Sequence, residues 1–311
     1  MSDQPAAVLA RTPLAVTEIH QRKYGQFTVW FKVYFQDSHG HIRTVNGGGG
    51  GGDASVVCNA SLGKEFAAIS WGAPDSCIRP EERLYYINGN GQIFEHCWDW
   101  TRGWYPGELN GQFWAGRDSA LAAGSYTFFS NKHHILLYYQ DPNTDEICEL
   151  MKNGDNPWVQ GTKRPVGMRG TSIAVACAVE GTQIWYQQPD TKFVQYGFES
   201  GKDWKKGNFN SNLEYDPGAS VSAVSPLRVF TVTRNNKLAL TVYDPVTGQW
   251  GPSKELIDQI PLAPVAAIKH PVHWANNFNS TVYCQKSEGE ITRVQFDWKE
   301  TREVTTLEVK L

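Results

Sequence analysis

An aromatic strand recurs six times along the chain, and turn residues follow it. It reads KVYFQ at Lys32, RLYYI at Arg83, LLYYQ at Leu136, QIWYQ at Gln183, RVFTV at Arg228 and TVYCQ at Thr281. Short apolar runs rich in aromatic residues and bounded by Gly, Asn or Asp predict β-strands. The first aromatic residues of successive strands are 51, 53, 47, 45 and 53 residues apart. Such a regular return predicts an array of similar structural units.

Each aromatic strand has similar neighbours. An Ala-rich run precedes it, reading LAVTEI, FAAISW, ALAAGS, SIAVAC, SVSAVS and PVAAIK in chain order. A turn and a third strand follow it, and most repeats then carry a Trp and a Gly near the expected outer strand. Small side chains suit the innermost strands of a ring, where the blades crowd together. These features predict one all-β domain over residues 1–311, a six-bladed β-propeller of about fifty-residue repeats.

WD40 repeats are the alternative, because Trp98 and Asp99 form the dipeptide for which those repeats are named. Their unit is about 40 to 45 residues long and carries a Gly-His signature. This chain has neither that period nor that pair, so WD40 is the weaker interpretation.

Composition and charge exclude several classes of partner. With 41% hydrophobic residues and a net charge of −3, the chain can form a large core and has no cationic excess for a nucleic acid. No apolar stretch approaches the ~18 residues of a membrane helix, and the first residues lack a signal-peptide core. We therefore expect no nucleic-acid or membrane partner and a cytoplasmic location. The six cysteines form no CxxC pair, which predicts free thiols.

Motifs for cofactors and metals are missing from the sequence. No GxSxG or HExxH motif occurs, and no GxGxxG motif lies between a strand and a helix. His133-His134 and the pair His270 and His273 lack further ligands at a recognised spacing. The glycine run at residues 47–52 is followed by no Lys-Ser or Lys-Thr, so we interpret it as a flexible loop. We therefore expect neither a metal nor a cofactor.

The stretch FAAISWG, followed by ERLYYINGNGQIFEHCWDWTRGWYPGEL, lies within residues 66–109. It resembles a blade of the fungal fucose-specific lectins, and the framework of all six repeats resembles that family. The resemblance implies a sugar site between neighbouring blades. One blade supplies an Arg two residues before the aromatic pair and a Glu twelve residues after that Arg, and the next blade supplies aromatic rings. The charged groups would hold hydroxyls, and a ring would pack on the methyl group of fucose.

Only the second blade keeps both polar residues that the resemblance implies, Arg83 and Glu95, with Lys152 where an aromatic residue is expected. The corresponding pairs in blades one, three, four, five and six are Lys32/Thr44, Leu136/Glu149, Gln183/Gln195, Arg228/Leu240 and Thr281/Arg293. The aromatic residues expected around these positions are Trp98, Trp104, Trp158, Phe198, Tyr243 and Trp250. Loss of most sites removes the advantage of multivalent sugar binding.

Two functions from different classes remain open. The first is a fucose-binding lectin with one or a few working sites, centred on Arg83 and Glu95. The second, which we favour, follows from a resemblance in fold to the fungal hetero-Diels-Alderases of tropolone sesquiterpenoid biosynthesis. Such a cofactor-independent enzyme of secondary metabolism would couple a tropolone-derived quinone methide with a humulene-type alkene. Apolar or neutral residues at lost sugar positions, such as Leu136 and Gln183, make pockets better suited to an apolar guest.

The enzyme hypothesis needs a hydrogen-bond donor beside an aromatic wall. The candidate donors are Lys32, Arg83, His134, Gln183, Arg228 and Arg293. The expected partner is a small molecule, either an apolar terpenoid or tropolone or a fucosylated glycan, and a homodimer is left open. The position of the main cavity separates the hypotheses. Pockets at blade interfaces favour the lectin, whereas one deep apolar pocket favours the enzyme.

Overall fold

The computed structural model describes residues 6–23, 26–48, 51–72, 80–127, 133–178, 181–199, 203–225, 227–269, 278–297 and 302–311. These segments form six sheets, and the first strand of each sheet contacts the first strands of its two neighbours, which closes a ring. The all-β, six-bladed propeller predicted from the repeats is therefore confirmed.

The first three blades are built from consecutive strands, with one exception. Blade 1 contains β1 (Ala15–Lys23), β2 (Gln26–Gln36), β3 (His41–Asn46) and β5 (Ser55–Asn59), whereas β4 (Gly51–Asp53) belongs to the sheet of blade 6. Blade 2 contains β6 (Phe66–Trp71), β7 (Glu81–Ile87), β8 (Ile93–Asp99) and β9 (Gly103–Pro106). Blade 3 contains β10 (Ala122–Thr127), β11 (His133–Gln140), β12 (Glu146–Asn153), β13 (Val159–Gln160) and β14 (Arg164–Val166).

The last three blades follow the same order. Blade 4 contains β15 (Ile173–Ala178), β16 (Gly181–Gln187), β17 (Phe193–Glu199) and β18 (Lys205–Lys206). Blade 5 contains β19 (Val221–Val224), β20 (Arg228–Val232), β21 (Lys237–Asp244), β22 (Gln249–Trp250) and β23 (Lys254–Asp258). Blade 6 contains β24 (Ala266–Lys269), β25 (Phe278–Cys284), β26 (Ile291–Asp297) and β27 (Arg302–Lys310), and β4 lies parallel to β27.

The Ala-rich runs form the inner strands, as the small side chains predict. They surround a central cavity of about 230 Å³. The aromatic strands lie next to them, and their first aromatic residues are fully buried between the blades. These rings belong to apolar clusters that are shared with the neighbouring blade, as Tyr34 and Tyr85 show.

A buried glutamine joins four pairs of neighbouring blades. It is the last residue of the aromatic strand or directly follows it. Its side chain donates to one backbone carbonyl and accepts from one backbone N–H of the segment that enters the next blade. The four residues are Gln36, Gln140, Gln187 and Gln285. Gln285 closes the ring, because its partners are the carbonyl of Leu9 and the N–H of Thr12 in the segment before blade 1.

Replacing Gln285 with Leu is expected to lower the free energy of unfolding by about 2–4 kcal/mol, because two backbone groups lose their hydrogen-bond partners. Urea unfolding followed by tryptophan fluorescence measures this change. The matched control is Gln112→Leu, since Gln112 is exposed and also donates to a backbone carbonyl. Equal unfolding midpoints for the two variants would show that Gln285 does not hold the ring closed.

Glu65 lines the central cavity, and its carboxyl group binds a proton more tightly than an ordinary glutamate does. Burial raises the pKa of Glu65 to about 7. The ordinary glutamate pKa is about 4.3, so the folded state binds the proton more tightly and loses stability as the pH rises from about 4 to 7. We expect Glu65→Gln to raise the melting temperature at pH 8 and to leave it unchanged at pH 4. Equal shifts at both pH values would contradict this assignment.

Candidate functional site

Arg83 and Glu95 lie in a cleft of about 540 Å³ between blades 2 and 3. They occupy the adjacent strands β7 and β8, where the strand register places Tyr85 opposite Glu95. The Nε atom of Arg83 lies 3.7 Å from the Oε1 atom of Glu95, and the two side chains are only 11% and 2% exposed. The structure therefore brings the two residues together as a largely buried charged pair that lines one cleft.

The Glu95 carboxylate is fixed by neighbours on both blades. It accepts hydrogen bonds from the hydroxyl of Tyr85 at 3.3 Å, the N–H of Leu109 at 3.2 Å and the indole N–H of Trp158 at 3.4 Å. Gly107 lies directly against it, and a β-carbon there would come within 2.3 Å of the Oε2 atom. Only a glycine leaves room for this orientation. Trp158 of blade 3 thus reaches the site, as the resemblance implies.

The Arg83 guanidinium is held by a second carboxylate and an aromatic stack. Its Nη2 atom donates to Glu81 at 2.5 Å, and its Cζ atom lies 4.8 Å from the ring centroid of Trp71. Trp71 stacks on His133 of blade 3, with centroids 3.9 Å apart. Burial, followed by the charges of Arg83 and His134, lowers the pKa of His133 to about 4. This ring is therefore neutral at pH 7 and extends the apolar wall of the cleft.

Trp71 and His133 are functional candidates that sequence reasoning missed. Trp71 ends the inner strand of blade 2, and His133 begins β11 of blade 3. The available signal was the indole at the end of FAAISW, because three of the other five runs end in Ser or Cys. Nothing in the sequence indicates that this indole meets an imidazole of the next blade.

At the rim of the cleft, Lys152 stands where the resemblance places an aromatic residue. Its ammonium group lies 2.7 Å from the carboxylate of Glu108 and donates to the carbonyl of Asn156 at 3.0 Å. Lys152 belongs to blade 3 and Glu108 follows the last strand of blade 2. This ion pair therefore crosses the interface and makes the outer wall of the cleft polar.

The aromatic contact beneath the cleft recurs at four blade interfaces. A Trp from one blade meets the first aromatic residue of the preceding blade edge to face, with centroids 5.9–6.5 Å apart. The pairs are Tyr34–Trp104, Tyr85–Trp158, Tyr138–Trp204 and Trp185–Trp250. The strand register places Thr44, Glu149, Gln195, Leu240 and Arg293 where blade 2 has Glu95. The interfaces therefore share a frame and differ in their polar groups.

Between blades 1 and 2, the carboxylate that pairs with the lysine of blade 1 belongs to blade 2. The ammonium group of Lys32 lies 2.6 Å from the carboxylate of Glu82 and 5.1 Å from the ring centroid of Trp98. Trp30 and Trp100 are 44% and 55% exposed. Together these residues line a mostly apolar cleft of about 390 Å³. Three indoles and one paired cation make this interface chemically unlike the Arg83 cleft.

Between blades 3 and 4, an arginine from another strand replaces the missing one. Leu136 stands at the usual arginine position, and Arg164 of β14 lies 3.1 Å from Glu149 instead. The Arg164 Cζ atom is 3.6 Å from the ring centroid of Trp204, and Phe198 lies beside the same Trp at 5.8 Å. The charged side chains are 2% and 6% exposed. This pair is therefore enclosed and serves as a structural ion pair.

Between blades 4 and 5, two amides replace the charged pair. Gln195 donates to Gln183, and the indole N–H of Trp250 donates to Gln195 at 3.1 Å. Tyr243 lies beside Trp250, with centroids 5.3 Å apart. A β-carbon at Gly207 would come within 2.4 Å of the Gln195 amide, as at the equivalent glycine of blade 2. This interface is a neutral counterpart of the Arg83 cleft.

Between blades 6 and 1, the chain places its own glycine loop over the expected site. Arg293 donates to the carbonyls of Gly47 at 3.3 Å and Gly48 at 2.9 Å. Tyr283 donates to Gly47 at 2.9 Å, and the chain continues into β4. Gly47 and Gly48 thus accept hydrogen bonds from blade 6, and Gly51 and Gly52 belong to a strand, where the sequence predicted a loop throughout. Residues 49–50 lie outside the described part.

His134 and Arg228 lie apart from the Arg83 cleft. His134 stacks on Tyr126 with centroids 5.2 Å apart, and its Nδ1 atom lies 2.7 Å from the side chain of Asn153. Arg228 begins β20 and is buried opposite Val242. The structure thus distributes the candidate donors over several interfaces, and among these donors Arg83 is the one that faces a glutamate at the position the resemblance implies.

Metal ligands, membrane spans and thiols are the remaining features of the described segments. Within them, no group of three His, Cys, Asp or Glu side chains is placed to hold a metal ion, and His270 and His273 lie outside them. No described helix is long and apolar enough to cross a membrane. The cysteines found free, as predicted, are Cys58, Cys97, Cys148, Cys177 and Cys284. Cys77 lies outside the described residues.

Sequence comparison identifies one family. A family model described as fungal fucose-specific lectin matches residues 8–226. A fucose-specific lectin of Aspergillus fumigatus is 30% identical over 255 residues, which cover 76% of each chain. A fucose-specific lectin of Aspergillus oryzae is 30% identical over 184 residues, and the match spans only 57% of that relative.

The fold comparison covers almost the whole molecule. A mutant of the Aleuria aurantia lectin, solved in complex with alpha-methyl-L-fucoside, matches with a TM-score of 0.80 and 24% identity. The match covers 97% of this chain and 96% of that lectin. With the propeller, the shared interface frame and the family match over residues 8–226, the chain belongs to the fungal fucose-specific lectin family.

Proposed function

We propose that the protein is a lectin that binds fucosylated glycans through the Arg83 cleft between blades 2 and 3. The observation that carries this proposal is the paired Arg83 and Glu95 in a cleft of about 540 Å³. Its volume is within the range of about 300–1,000 Å³ that is common for small-ligand pockets. The clefts at blade interfaces also exceed the central cavity, which favours a lectin over an enzyme with a central pocket.

The chemistry of the cleft suits a sugar with one apolar face. A hydroxyl group can accept a hydrogen bond from Arg83 and donate one to Glu95, and both bonds are charge-assisted. Tyr105 also lines the cleft, and its ring can contact C–H groups and a methyl group. Because Glu95 is fixed by three donors, little side-chain entropy is lost when the sugar binds.

Contacts at the other blade interfaces explain why we propose one principal site. The cleft beside Lys32 is smaller, at about 390 Å³, and mostly apolar, so it offers few groups to sugar hydroxyls. The Glu149–Arg164 pair is enclosed, and Arg293 donates to the glycine loop. A sugar at these last two interfaces would have to displace existing contacts before making its own, which lowers its net affinity.

Retention on fucose-agarose tests the lectin proposal. We expect the protein to be retained and to elute with free fucose, whereas the same concentration of galactose leaves it on the column. Elution in the unbound fraction, with the protein folded by circular dichroism, would refute fucose binding as the main function.

Hetero-Diels-Alder catalysis is our second proposal, and the cleft between blades 1 and 2 favours it. This cleft of about 390 Å³ is mostly apolar and has the Lys32 ammonium group at its wall. Loss of water from a hydroxymethyl tropolone gives a quinone methide, whose oxygens Lys32 would hold. The indoles of Trp98 and Trp100 would align this heterodiene with the alkene of a humulene-type terpene. Alignment alone contributes about 7–11 kcal/mol in favourable cases.

Product analysis after incubation with a hydroxymethyl tropolone and humulenol tests this activity. We expect a faster reaction and one preferred stereoisomer relative to buffer, and both should be lost in Lys32→Met. The control is Lys64→Met, because Lys64 lies away from this cleft and pairs with Asp118. An unchanged rate and stereoisomer ratio relative to buffer would exclude the enzyme proposal.

A further inference from the structure

The central cavity of the propeller is walled by the free edges of the six inner strands. Each inner strand is the end strand of its sheet and pairs with the aromatic strand on one side only. An edge strand of this kind presents unpaired N–H and C=O groups on its other side, at every second residue. That side faces the axis. The cavity of about 230 Å³ is therefore lined by backbone polar groups and by mostly small side chains.

Serine hydroxyls of one blade already use some of the backbone N–H groups of the next blade. The N–H of Val221 donates to the hydroxyl oxygen of Ser172 at 3.1 Å, and the N–H of Ala267 donates to that of Ser222 at 2.9 Å. All four residues line the cavity. The N–H and C=O groups of a strand residue point to the same side, so the carbonyl oxygens of Val221 and Ala267 also face the cavity. The wall thus offers oxygen atoms as acceptors.

A glutamate stands in blade 2 at a position where two other blades have serines. The strand register identifies the equivalent position of each blade, which is two residues before the residue opposite the first aromatic ring. In chain order this position is held by Pro13, Glu65, Ala120, Ser172, Ser220 and Pro264. Glu65 is therefore the one ionisable side chain in this ring of six, and it lines the cavity with both serines.

The Glu65 carboxyl group has no counter-charge in the described wall of the cavity. Burial alone raises its pKa to about 7, without an opposing effect from a nearby cation. Asp118 is the other ionisable residue of that wall, and its side chain is 65% exposed and pairs with Lys64 at 3.5 Å. A buried carboxylate is costly unless a cation compensates its charge. Above pH 7 the cavity therefore favours a positively charged guest.

We propose that the central cavity binds one monovalent metal cation of the size of K⁺, held by the Glu65 carboxylate together with serine hydroxyl and backbone carbonyl oxygens. Hard cations prefer oxygen ligands, and backbone carbonyls can replace the hydration shell of K⁺. Charge decides between the classes of cation. One carboxylate balances one positive charge, whereas a divalent ion would leave an uncompensated charge in the cavity.

A site of this kind is independent of the motifs by which metal centres are found in a sequence. Most of its ligands are backbone carbonyls, which every residue carries, and the side chains add only one carboxylate and the hydroxyls. The lack of a recognised metal-ligand spacing therefore does not count against it. The cation site is also independent of sugar binding, because the Arg83 cleft lies at a blade interface and the cavity lies on the axis.

Melting temperatures in potassium chloride and in tetramethylammonium chloride, each at about 200 mM, test the cation site. Tetramethylammonium matches the ionic strength, but its methyl groups keep oxygen ligands away from its charge. We expect potassium to raise the melting temperature of the wild type by about 2–4 °C at pH 8. At pH 5 the Glu65 carboxyl group is protonated, and we expect equal melting temperatures in the two salts.

Glu65→Gln removes the charge with little change in shape, so its melting temperature should be the same in both salts at pH 8. The matched control is Glu214→Gln, because Glu214 is an exposed acid that pairs with Arg234 at 2.7 Å. This control should respond to potassium like the wild type.

Three results would overturn the cation site. The first is an equal melting temperature of the wild type in the two salts at pH 8. The second is a potassium effect that persists in Glu65→Gln, since the cation would then bind elsewhere. The third is a larger stabilisation by calcium chloride at the same ionic strength, which would contradict a monovalent ion. A potassium effect that depends on Glu65, in a protein that fucose-agarose does not retain, would count against the lectin proposal alone.

Discussion

Replacing Arg83 with Ala is expected to weaken fucose binding by roughly 30-fold or more, because truncating one member of a buried charged pair costs about 2–5 kcal/mol. The loss has two sources. The sugar loses its charge-assisted donors, and the buried Glu95 carboxylate is left without its cation. Isothermal titration with methyl α-L-fucoside measures the change in affinity.

The matched control for this variant is Arg169→Ala. Arg169 also forms an ion pair, with Asp145 at 3.1 Å, but its side chain is 70% exposed and lies outside the cleft. We expect this variant to bind methyl fucoside like the wild type. Equal affinities for the wild type and Arg83→Ala would mean that another interface binds the sugar.

Replacing Gly107 with Ala is expected to abolish most fucose binding and to destabilise the protein by about 1–3 kcal/mol. The added methyl group would lie 2.3 Å from Oε2 and 2.4 Å from Cγ of Glu95, so the carboxylate has to leave its place. Its hydrogen bonds to Tyr85 and Trp158 are then broken. Titration with methyl fucoside and urea unfolding measure the two effects.

Gly207→Ala separates the effect of Gly107→Ala on stability from its effect on fucose binding. The same clash arises there with the amide of Gln195, at 2.4 Å, in the interface of blades 4 and 5. We therefore expect a similar loss of stability with fucose binding retained. If Gly107→Ala binds fucose normally, the fixed orientation of Glu95 does not contribute to recognition.

The fold could be predicted from the sequence because each blade is specified locally. Small residues precede the aromatic strand, turn residues follow it, and this order repeats six times. The pairing of Arg83 with Glu95 was predictable for the same reason. Both residues belong to one hairpin, whose short turn fixes the strand register and so sets which side chains are neighbours.

Contacts that cross between blades could not be predicted in this way. Glu82 replaces the missing acid beside Lys32, and Arg164 replaces the missing cation beside Glu149. Both substitutes lie on other strands, so no fixed spacing within a repeat points to them. The binding of Gly47 by Arg293 is a still longer connection, since it joins the beginning of the chain to the last blade.

The number of fucose molecules bound per chain tests the central claim most directly. Titration calorimetry with methyl α-L-fucoside should give one site of measurable affinity for the wild type and none for Arg83→Ala. Several equivalent sites per chain, or one site that persists in Arg83→Ala, would contradict the assignment of sugar binding to the cleft between blades 2 and 3.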